Sequence, residues 1–539
     1  MNLPGICARE CLPTSLPTNT PALHHLQMSY STTSTRSLGP HRRRLERRSK
    51  YVPGGYHPLE IGDEVHDGRY LVLHRLGHGG YSTVWLALDQ SYDNSTPPDP
   101  HRPRYVALKI VSASRGQQEA TLLYELQARF QSQLARGSLP GGHKSESRHI
   151  ITLLDYFQIS GPNGSHCCLV TEILGPCVAD IHRYPGIEGE DLLPLPVARS
   201  AAMQCTEALV FLHSQGIAHA GIFKSLCRSG LIPIEQLTGC ILDLHPRNIA
   251  FEITADINSW TVEELYAALG GEPVKIPFHE ALDDGCYNAP PLENASFHQP
   301  KYLVATPTVP HLWALCIASE PRIRLIDFSE SFRLPFHPES QTLPGTPWEY
   351  AAPELLLNLP AEVTLSIDIW ALGCIIYSLL GHCSPFIEPF GNLQHILAQI
   401  MIQTGGKDRM PESFRRAFSK FPALKSSEDQ IGMLFHIIPN WDCHLRGQLD
   451  NPGADDYTCV APLGTEDYGV VRAVIAASLV VDPAKRAPAR KILEILREAW
   501  GMVMDPHVLD LDHLGLVHDT ENEMHKHKTN GNPQCLASS

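Results

Sequence analysis

Alternating apolar positions in the first third of the chain give way to helical spacing later. Segments such as "RYLVLHRLG", "TVWLALD", "YVALKIV" and "CCLVTEIL" are typical of strands. "QQEATLLYELQARF" places Leu122, Leu123, Leu126 and Phe130 on one face of a helix. Beyond about residue 181 the pattern is mostly helical, as in "VARSAAMQCTEALVFLHSQG" and "SIDIWALGCIIYSLLG". Strands first and helices later predict an α+β fold, with a small β-rich N lobe on a larger α-helical C lobe.

Composition describes a soluble globular protein. The 539 residues are 43% hydrophobic and 19% charged, with a formal net charge of −15. An acidic balance argues against general nucleic-acid binding, and no apolar run reaches the ~18 residues of a membrane span. The 15 cysteines lack metal-binding spacing and indicate reduced intracellular thiols. We therefore expect a monomer, cytoplasmic and/or nuclear, with neither nucleic acid nor membrane as a direct partner.

The first 50 residues lack the apolar positions that a packed core needs. Residues 1–50 are rich in Ser, Thr, Pro and Arg and end in "HRRRLERRSK", and the other end includes "HKHKTNGNPQ". We predict disorder for residues 1–50 and 506–539. A nuclear import signal or part of a mitochondrial presequence would fit the basic run, but we favour a solvated tail.

A Gly-rich turn between two predicted strands is a candidate phosphate site, because glycines let the backbone approach phosphate oxygens closely. Ser82 stands where such a turn usually has a third Gly, and a plain hairpin is the alternative. In "VALK", about 25 residues downstream, a strand carries Lys109, whose ammonium can pair with phosphates. The candidate nucleotide contacts in the Gly-rich turn "LGHGGYSTV" are Leu76, Gly77, His78, Gly79, Gly80, Tyr81, Ser82, Thr83 and Val84.

Lys109 needs a carboxylate partner on the next helix, and Glu119 and Glu125 are the candidates. Leucines at +3, +4 and +7 put Glu119 on the buried face, whereas Glu125 has Ala and Arg at +3 and +4. We predict Glu119 as the partner. The alternative is a carboxylate near the helix start, which is favourable there in any case.

Two later motifs offer acid–base and metal chemistry. "DLHPRN" supplies Asp243, a carboxylate that can accept a hydroxyl proton, and Asn248, an amide that can bind a metal. "LIDFSESF" supplies Asp327, a second metal-binding group after an apolar strand. Three further positions suggest structural roles: Glu354 in "YAAPELL", Asp368 in "DIWALG" and Arg486 in "DPAKRAPA". We expect Arg486 to pair with Glu354.

Taken in order, these motifs resemble a eukaryotic protein kinase, and most closely the SR-protein kinases with their fungal relatives. "GYHPLEIGDEVHDGRYLVLHRLGHGGYSTVWLALD", "GPNGSHCCLVTEILGP", "PKYLV" and "EYAAPELL" carry the similarity. It implies an N lobe at 51–175, a C lobe at 176–505, and ATP- and Mg²⁺-dependent phosphorylation of Arg/Ser-rich proteins, whose basic charge suits this acidic chain. Asp243 would be the catalytic base, with Asn248 and Asp327 as Mg²⁺ ligands. The implied adenine pocket, with Thr171 as gatekeeper, adds Ala107, Thr171, Glu172 and Leu174.

Three features depart from the family pattern. His245 replaces a Lys that steadies the transferred phosphoryl group; we keep it as a catalytic candidate, acting when protonated or as a hydrogen-bond donor. Ala220 replaces an Arg that would need a phosphorylated activation loop, which suggests constitutive activity. Asn248 and Asp327 are separated by a family-type insert at about 254–320, which shapes substrate docking or is a decorative loop.

The predicted catalytic loop is also split. His219, which normally braces the loop, and Asp243 are separated by residues 221–242, and removing these gives an uninterrupted "GIAHADLHPRNIAF". A misplacement of ~1 Å can cost ~100-fold in rate, so we hypothesise that 221–242 is a translated intron. A pseudokinase or scaffold remains an alternative. A small-molecule phosphotransferase is another, because "DLHPRN" also resembles the loop of aminoglycoside kinases.

Overall fold

The structure is a computed structural model that describes residues 45–93, 102–135, 147–181, 193–219, 244–281, 297–316, 321–334, 348–381, 384–386, 392–421, 424 and 464–500. None of the helices in these ranges is long and apolar enough to cross a membrane.

A six-stranded antiparallel sheet and one long helix form the first lobe, as the alternating pattern predicts. The elements are β1 Glu64–Val65, β2 Tyr70–His78, β3 Ser82–Asp89, β4 Tyr105–Val111, α1 Gln118–Ala135, β5 Leu153–Gly161 and β6 Gly164–Thr171. The strand order is β1-β2-β3-β4-β6-β5. Helix α1 packs its leucines at 122, 123 and 126 into the main core.

The second lobe is mainly helical, with short strands that carry the site residues. Its core contains the apolar faces of α3, α7, α8, α10 and α11. In chain order the elements are β7 Leu174–Cys177, α2 Val178–Ile181, α3 Leu195–Ser214, β8 Ile217–Ala218, β9 Ile249–Glu252, α4 Val262–Ala268, β10 Lys275–Pro277, β11 Tyr302–Val304, α5 Val309–Ala314, β12 Ile323–Leu325, β13 Phe332–Arg333, α6 Pro353–Leu356, α7 Ser366–Gly381, α8 Leu393–Gln403, α9 Glu412–Phe418, α10 Thr465–Ser478 and α11 Ala489–Trp500. The bilobal α+β prediction is confirmed.

The insert predicted at about 254–320 lies against both lobes. Its helix α4 starts at a capping box, in which Thr261 accepts from the backbone of Glu264 while the Glu264 side chain accepts from the backbone of Thr261. On the first lobe, the Tyr105 hydroxyl donates to the Trp260 carbonyl at 2.8 Å, and apolar residues of α4 pack on β2 and β3. On the second lobe, α5 packs its Trp against the Phe of β9. The insert thus contains two short helices, α4 and α5, and the paired strands β10 and β11.

The prediction of disorder for residues 1–50 is wrong for residues 45–50. Leu45 and Glu46 are buried, and Arg48–Lys50 form a 3₁₀ turn. Glu46 pairs with Arg75 of the first lobe, whereas Leu45 packs with Phe278 and Leu303 of the insert. Contacts between segments so far apart leave no periodic signal in a short basic run. Residues 1–44 and 506–539 lie outside the described residues.

Candidate active site

Lys109 on β4 is the centre of an ion-pair network between the lobes. Its ammonium lies 2.7 Å from both carboxylate oxygens of Glu119 and 2.8 Å from Oδ1 of Asp327. Burial disfavours the charge on Lys109, but the two carboxylates outweigh burial and raise the pKa of the ammonium. Burial alone would raise the pKa of Asp327, but the neighbouring ammonium of Lys109 lowers it. Lys109 and Asp327 are therefore charged at neutral pH, and the predicted pairing of Lys109 with Glu119 is present.

The Gly-rich turn covers this network. Gly77 pairs with Val84 across the hairpin of β2 and β3, and the Gly79 N–H donates to the Ser82 carbonyl at 2.9 Å. Beneath the turn lies an open cavity. Its lining includes the tip of the turn and the three side chains of the network: Gly79, Gly80, Tyr81, Ser82, Lys109, Glu119 and Asp327.

One predicted nucleotide contact is directed elsewhere. Thr83 is fully buried, and its hydroxyl accepts a hydrogen bond from Nε1 of Trp85 at 3.1 Å. Successive side chains of a strand alternate between its two faces, so Thr83 and Trp85 share the face opposite Ser82 and Val84. The Thr83 side chain therefore points away from the face of Ser82 and Val84, and the predicted contact of Thr83 with the nucleotide stays a prediction.

The predicted adenine pocket lies where β4 meets β6 and the chain crosses to the second lobe. Ala107 and Thr171 are directly paired neighbours on these strands. The Thr171 hydroxyl donates to the Glu172 carbonyl at 3.1 Å. The Glu172 carboxylate accepts from Nε of Arg324 at 3.0 Å and is held on the second lobe. The side-chain oxygens of Thr171 and Glu172 are therefore both bonded within the protein.

The two predicted metal ligands lie close together. The N–H of Ile326 donates to the carbonyl of Asn248 at 3.0 Å, just beyond the paired strands β9 and β12, and this places Asn248 beside Asp327. A carboxylate and an amide are oxygen donors of the kind that Mg²⁺ prefers, and phosphates and water usually complete its coordination. Asp327 has φ of 65°, an uncommon value for a non-Gly residue, which marks a strained backbone at this position. The residues present fit a Mg²⁺ ion.

His219 braces the segment that contains Asp327. Its backbone N–H donates to Oδ2 of Asp368 at 2.9 Å, and its Nε2 lies 3.2 Å from the carbonyl of Ile326. Its ring packs edge-on against Phe328 with centroids 4.8 Å apart. The sequence did not identify His213, whose Nε2 lies 3.0 Å from the same oxygen of Asp368. The structural roles predicted for His219 and Asp368 agree with these contacts.

His245 is buried and neutral, in contrast to the protonated role considered from sequence. Its Nδ1 accepts from the backbone N–H of Arg247 at 2.8 Å and so caps the 3₁₀ turn that contains Asn248. Burial and the nearby Arg247 lower the pKa of His245 to about 3. Burial therefore favours the neutral form at neutral pH, and the catalytic role of His245 stays a prediction.

The pairing predicted between Glu354 and Arg486 is present and completely buried. The guanidinium donates through two nitrogens to the two carboxylate oxygens, each at 2.7 Å. Arg486 also donates to backbone carbonyls of Val480, Val481 and Ser366. Such a bidentate, fully bonded pair fixes α6 on the second lobe.

One ion pair beside the cavity was not predicted from sequence. Arg115, in the loop before α1, lies 2.6 Å from Glu330, three residues after Asp327. The Tyr81 ring of the Gly-rich turn lies 4.0 Å from the same guanidinium. Arg115 thus joins three parts of the site, but no motif marked it because its partners are far away in sequence. The predicted base Asp243, Ala220 and residues 221–242 lie outside the described residues.

Comparisons with known proteins identify a matching family and several similar protein kinases. Residues 315–495 match the protein kinase domain family. The serine/threonine-protein kinase SRPK of Physarum polycephalum is 26% identical over 82% of this chain and 89% of its own length. Protein kinase dsk1 of Schizosaccharomyces pombe is 36% identical over 33% of this chain and 29% of its own. Human SRSF protein kinase 3 is 35% identical over 40% of this chain and 33% of its own length.

The matches to dsk1 and to SRSF protein kinase 3 thus span about a third of those proteins. A solved kinase domain aligns over 82% of this chain and 98% of its own, with a TM-score of 0.44 and 15% identity. From the fold, the Lys109 network and the family match, the chain contains a protein kinase domain and is similar to the SR-protein kinases.

Proposed function

We propose that this chain is an ATP- and Mg²⁺-dependent serine/threonine protein kinase that acts on Arg/Ser-rich proteins. The observation that carries the proposal is the contact of Lys109 with both Glu119 and Asp327 beneath the Gly-rich turn. Phosphoryl transfer depends on positioning and on stabilising phosphate charge, and this site offers a fixed cation and two oxygen ligands for that purpose.

In this mechanism the protein mainly binds and orients. Lys109, held by Glu119, would pair with phosphate oxygens, while the Gly-rich turn excludes water from above. Asp327 and Asn248 would hold Mg²⁺, which neutralises phosphate charge when bound. Asp243, the predicted base, would accept the proton of the substrate hydroxyl. Arg486 and Glu354 act only indirectly, by fixing α6.

The substrate class is inferred from charge and from the relatives. A chain with a formal net charge of −15 suits a basic substrate. The curated relatives include proteins named SRPK and SRSF protein kinase 3. Arg is the cation that forms bidentate pairs with carboxylates, so an Arg-rich partner should be favoured over a Lys-rich one.

The experiment compares two peptides of equal charge, one built from Arg/Ser dipeptides and one from Lys/Ser dipeptides. Both the 539-residue protein and the form lacking residues 221–242 are assayed for phosphate transfer from ATP. We expect the Arg/Ser peptide to be phosphorylated at least about tenfold faster than the Lys/Ser peptide. Phosphorylation of an aminoglycoside but of neither peptide would indicate a small-molecule kinase, and ATP binding without transfer would indicate a pseudokinase.

We also propose that the protein is a monomer and acts in the cytoplasm and/or the nucleus. Size-exclusion chromatography with light scattering measures the oligomeric state. Imaging of the tagged protein in cells shows where it is located. A stable dimer, or a signal confined to another compartment, would contradict these proposals.

A further inference from the structure

Residues 45–56, here called the 45–56 segment, lie along the first lobe next to the Gly-rich turn. The N–H of Ala113 donates to the Gly55 carbonyl at 3.1 Å, and the N–H of Ser114 donates to the Gly54 carbonyl at 2.8 Å. These bonds attach the segment to the chain that leaves β4, the strand of Lys109. The segment is therefore docked on the lobe by its backbone.

Tyr56 links this segment directly to the turn. Its hydroxyl donates to the carbonyl of Gly79 at 2.5 Å, and its side chain is buried. Burial raises the pKa of Tyr56, so its hydroxyl stays protonated and can only donate to the Gly79 carbonyl. The Tyr56 carbonyl accepts from Nδ2 of Asn163 at 2.6 Å, which fixes the residue from its other side. One carbonyl of the turn is thus held by a buried, immobilised donor.

A second carbonyl of the turn is held through a buried ion pair. Glu46 pairs with Arg75 on β2, and both side chains are almost completely inaccessible to solvent. The Tyr51 hydroxyl donates to Glu46 at 2.6 Å. Nε of Arg75 donates in turn to the Gly77 carbonyl at 3.3 Å. The segment therefore acts on the turn at two glycines.

The tip of the turn is held by cations. The Tyr81 ring lies 5.4 Å from the ammonium of Lys50 in the segment and 4.0 Å from the guanidinium of Arg115. The N–H of Ser112 donates to the Tyr81 carbonyl at 2.8 Å. Contacts of this kind reduce the freedom of a glycine-rich backbone, which otherwise loses much conformational entropy when it orders around a ligand.

We propose that the 45–56 segment positions the Gly-rich turn for the phosphates of the nucleotide, with Tyr56 as the positioning residue. This inference rests on the proposed function, because it assumes that the cavity beneath the turn takes ATP. Contacts with the segment hold the turn in place before a ligand binds. The ligand therefore has less of the turn to order when it binds.

The test uses the 539-residue protein and measures the dissociation constants of Mg·ATP and of adenosine by calorimetry. Tyr56→Phe removes only the hydroxyl that holds Gly79. Tyr266→Phe is the matched control, because its hydroxyl also donates to a carbonyl of this lobe, that of Leu73 on β2, at 2.9 Å. We expect Tyr56→Phe to weaken Mg·ATP by about three- to tenfold and adenosine by less than about twofold, and Tyr266→Phe to change neither.

The comparison with adenosine separates positioning from a general structural effect. A loss confined to Mg·ATP supports the inference, since adenosine has no phosphates beneath the turn. Equal weakening of both ligands, or no change in Tyr56→Phe, would overturn it. If the unmodified protein binds neither ligand, the proposed function fails and this inference falls with it.

Discussion

At the residue scale, a few charges around one lysine define the site. Lys109 holds Glu119 from α1 and Asp327 from the second lobe within 2.8 Å of one ammonium. An ion pair with little access to water is stronger than one on the surface, and breaking it leaves a charge without compensation. The position of α1 and the position of Asp327 therefore depend on the same side chain.

Replacing Lys109 with Met should lower phosphate transfer to an Arg/Ser peptide by roughly 100-fold or more, because a fixed cation for the phosphates is lost. Lys301→Met is the matched control, since this lysine is exposed and pairs only at the surface with Glu60. Initial rates of the form lacking residues 221–242 measure the effect. A Lys109→Met rate within about twofold of the unmodified rate would contradict this role of the lysine.

Buried histidines should make the stability of the protein sensitive to acid. Burial lowers the pKa of His57 and His74 to about 4 and that of His245 to about 3. The unfolded chain, with a histidine pKa of about 6.5, takes up these protons first, so stability present above pH 6.5 is lost as the pH falls toward 4. Each histidine should remove about 1–2 kcal/mol between pH 7.5 and pH 5.

The midpoint of urea unfolding at the two pH values measures this loss, and His57→Phe should show a smaller decrease than the unmodified protein. An equal midpoint at both pH values would show that these side chains are not buried in their neutral form.

At the element scale, short strands and an ion pair position the chemistry. The pairing of β9 with β12 brings Asn248 to Asp327, and the pairing of β8 with β13 brings His219 to Phe328. The insert helix α4 packs on β2 and β3 and so supports the strands that flank the Gly-rich turn. The insert therefore has a structural role in this protein, whether or not it also shapes substrate docking.

The ion pair of Glu354 on α6 with Arg486 in the α10–α11 connection can be tested by measuring the free energy of unfolding. Arg486→Met should destabilise the protein by about 3–5 kcal/mol, because it leaves the carboxylate of Glu354 buried without its partner. Arg486→Met combined with Glu354→Leu should recover much of this loss. Chemical denaturation measures the free energy of unfolding of the single and the double variant. A double variant less stable than the single one would contradict this explanation.

The fold and the site could be predicted from the sequence where a motif or a hydrophobic periodicity marks the residues involved. The strands, α1, the Lys109–Glu119 pair and the Glu354–Arg486 pair all follow from local patterns and from a known order of motifs. Prediction from the sequence failed where contacts join distant segments without a local signal. The burial of Glu46 and the Arg115–Glu330 pair depend on how the chain folds back on itself, and the burial of His245 depends on neighbours that a loop sequence does not show.

At the scale of the whole molecule, two lobes face each other across the cavity beneath the Gly-rich turn. The insert contacts both lobes, and the 45–56 segment holds the turn from outside. The described site residues Lys109, Glu119 and Asp327 are held by contacts with one another. We interpret the described part of the chain as a framework for the nucleotide, to which the interrupted catalytic loop must add the base.

The most direct measurement compares the initial rate of phosphate transfer from ATP to an Arg/Ser peptide in the 539-residue protein and in the form lacking residues 221–242. We predict transfer by the shortened form at a rate at least about 100-fold above that of the 539-residue form, because the base Asp243 then follows directly on the loop braced by His219. Transfer by neither form, or equal rates in both, would contradict an active kinase whose catalytic loop is interrupted by residues 221–242.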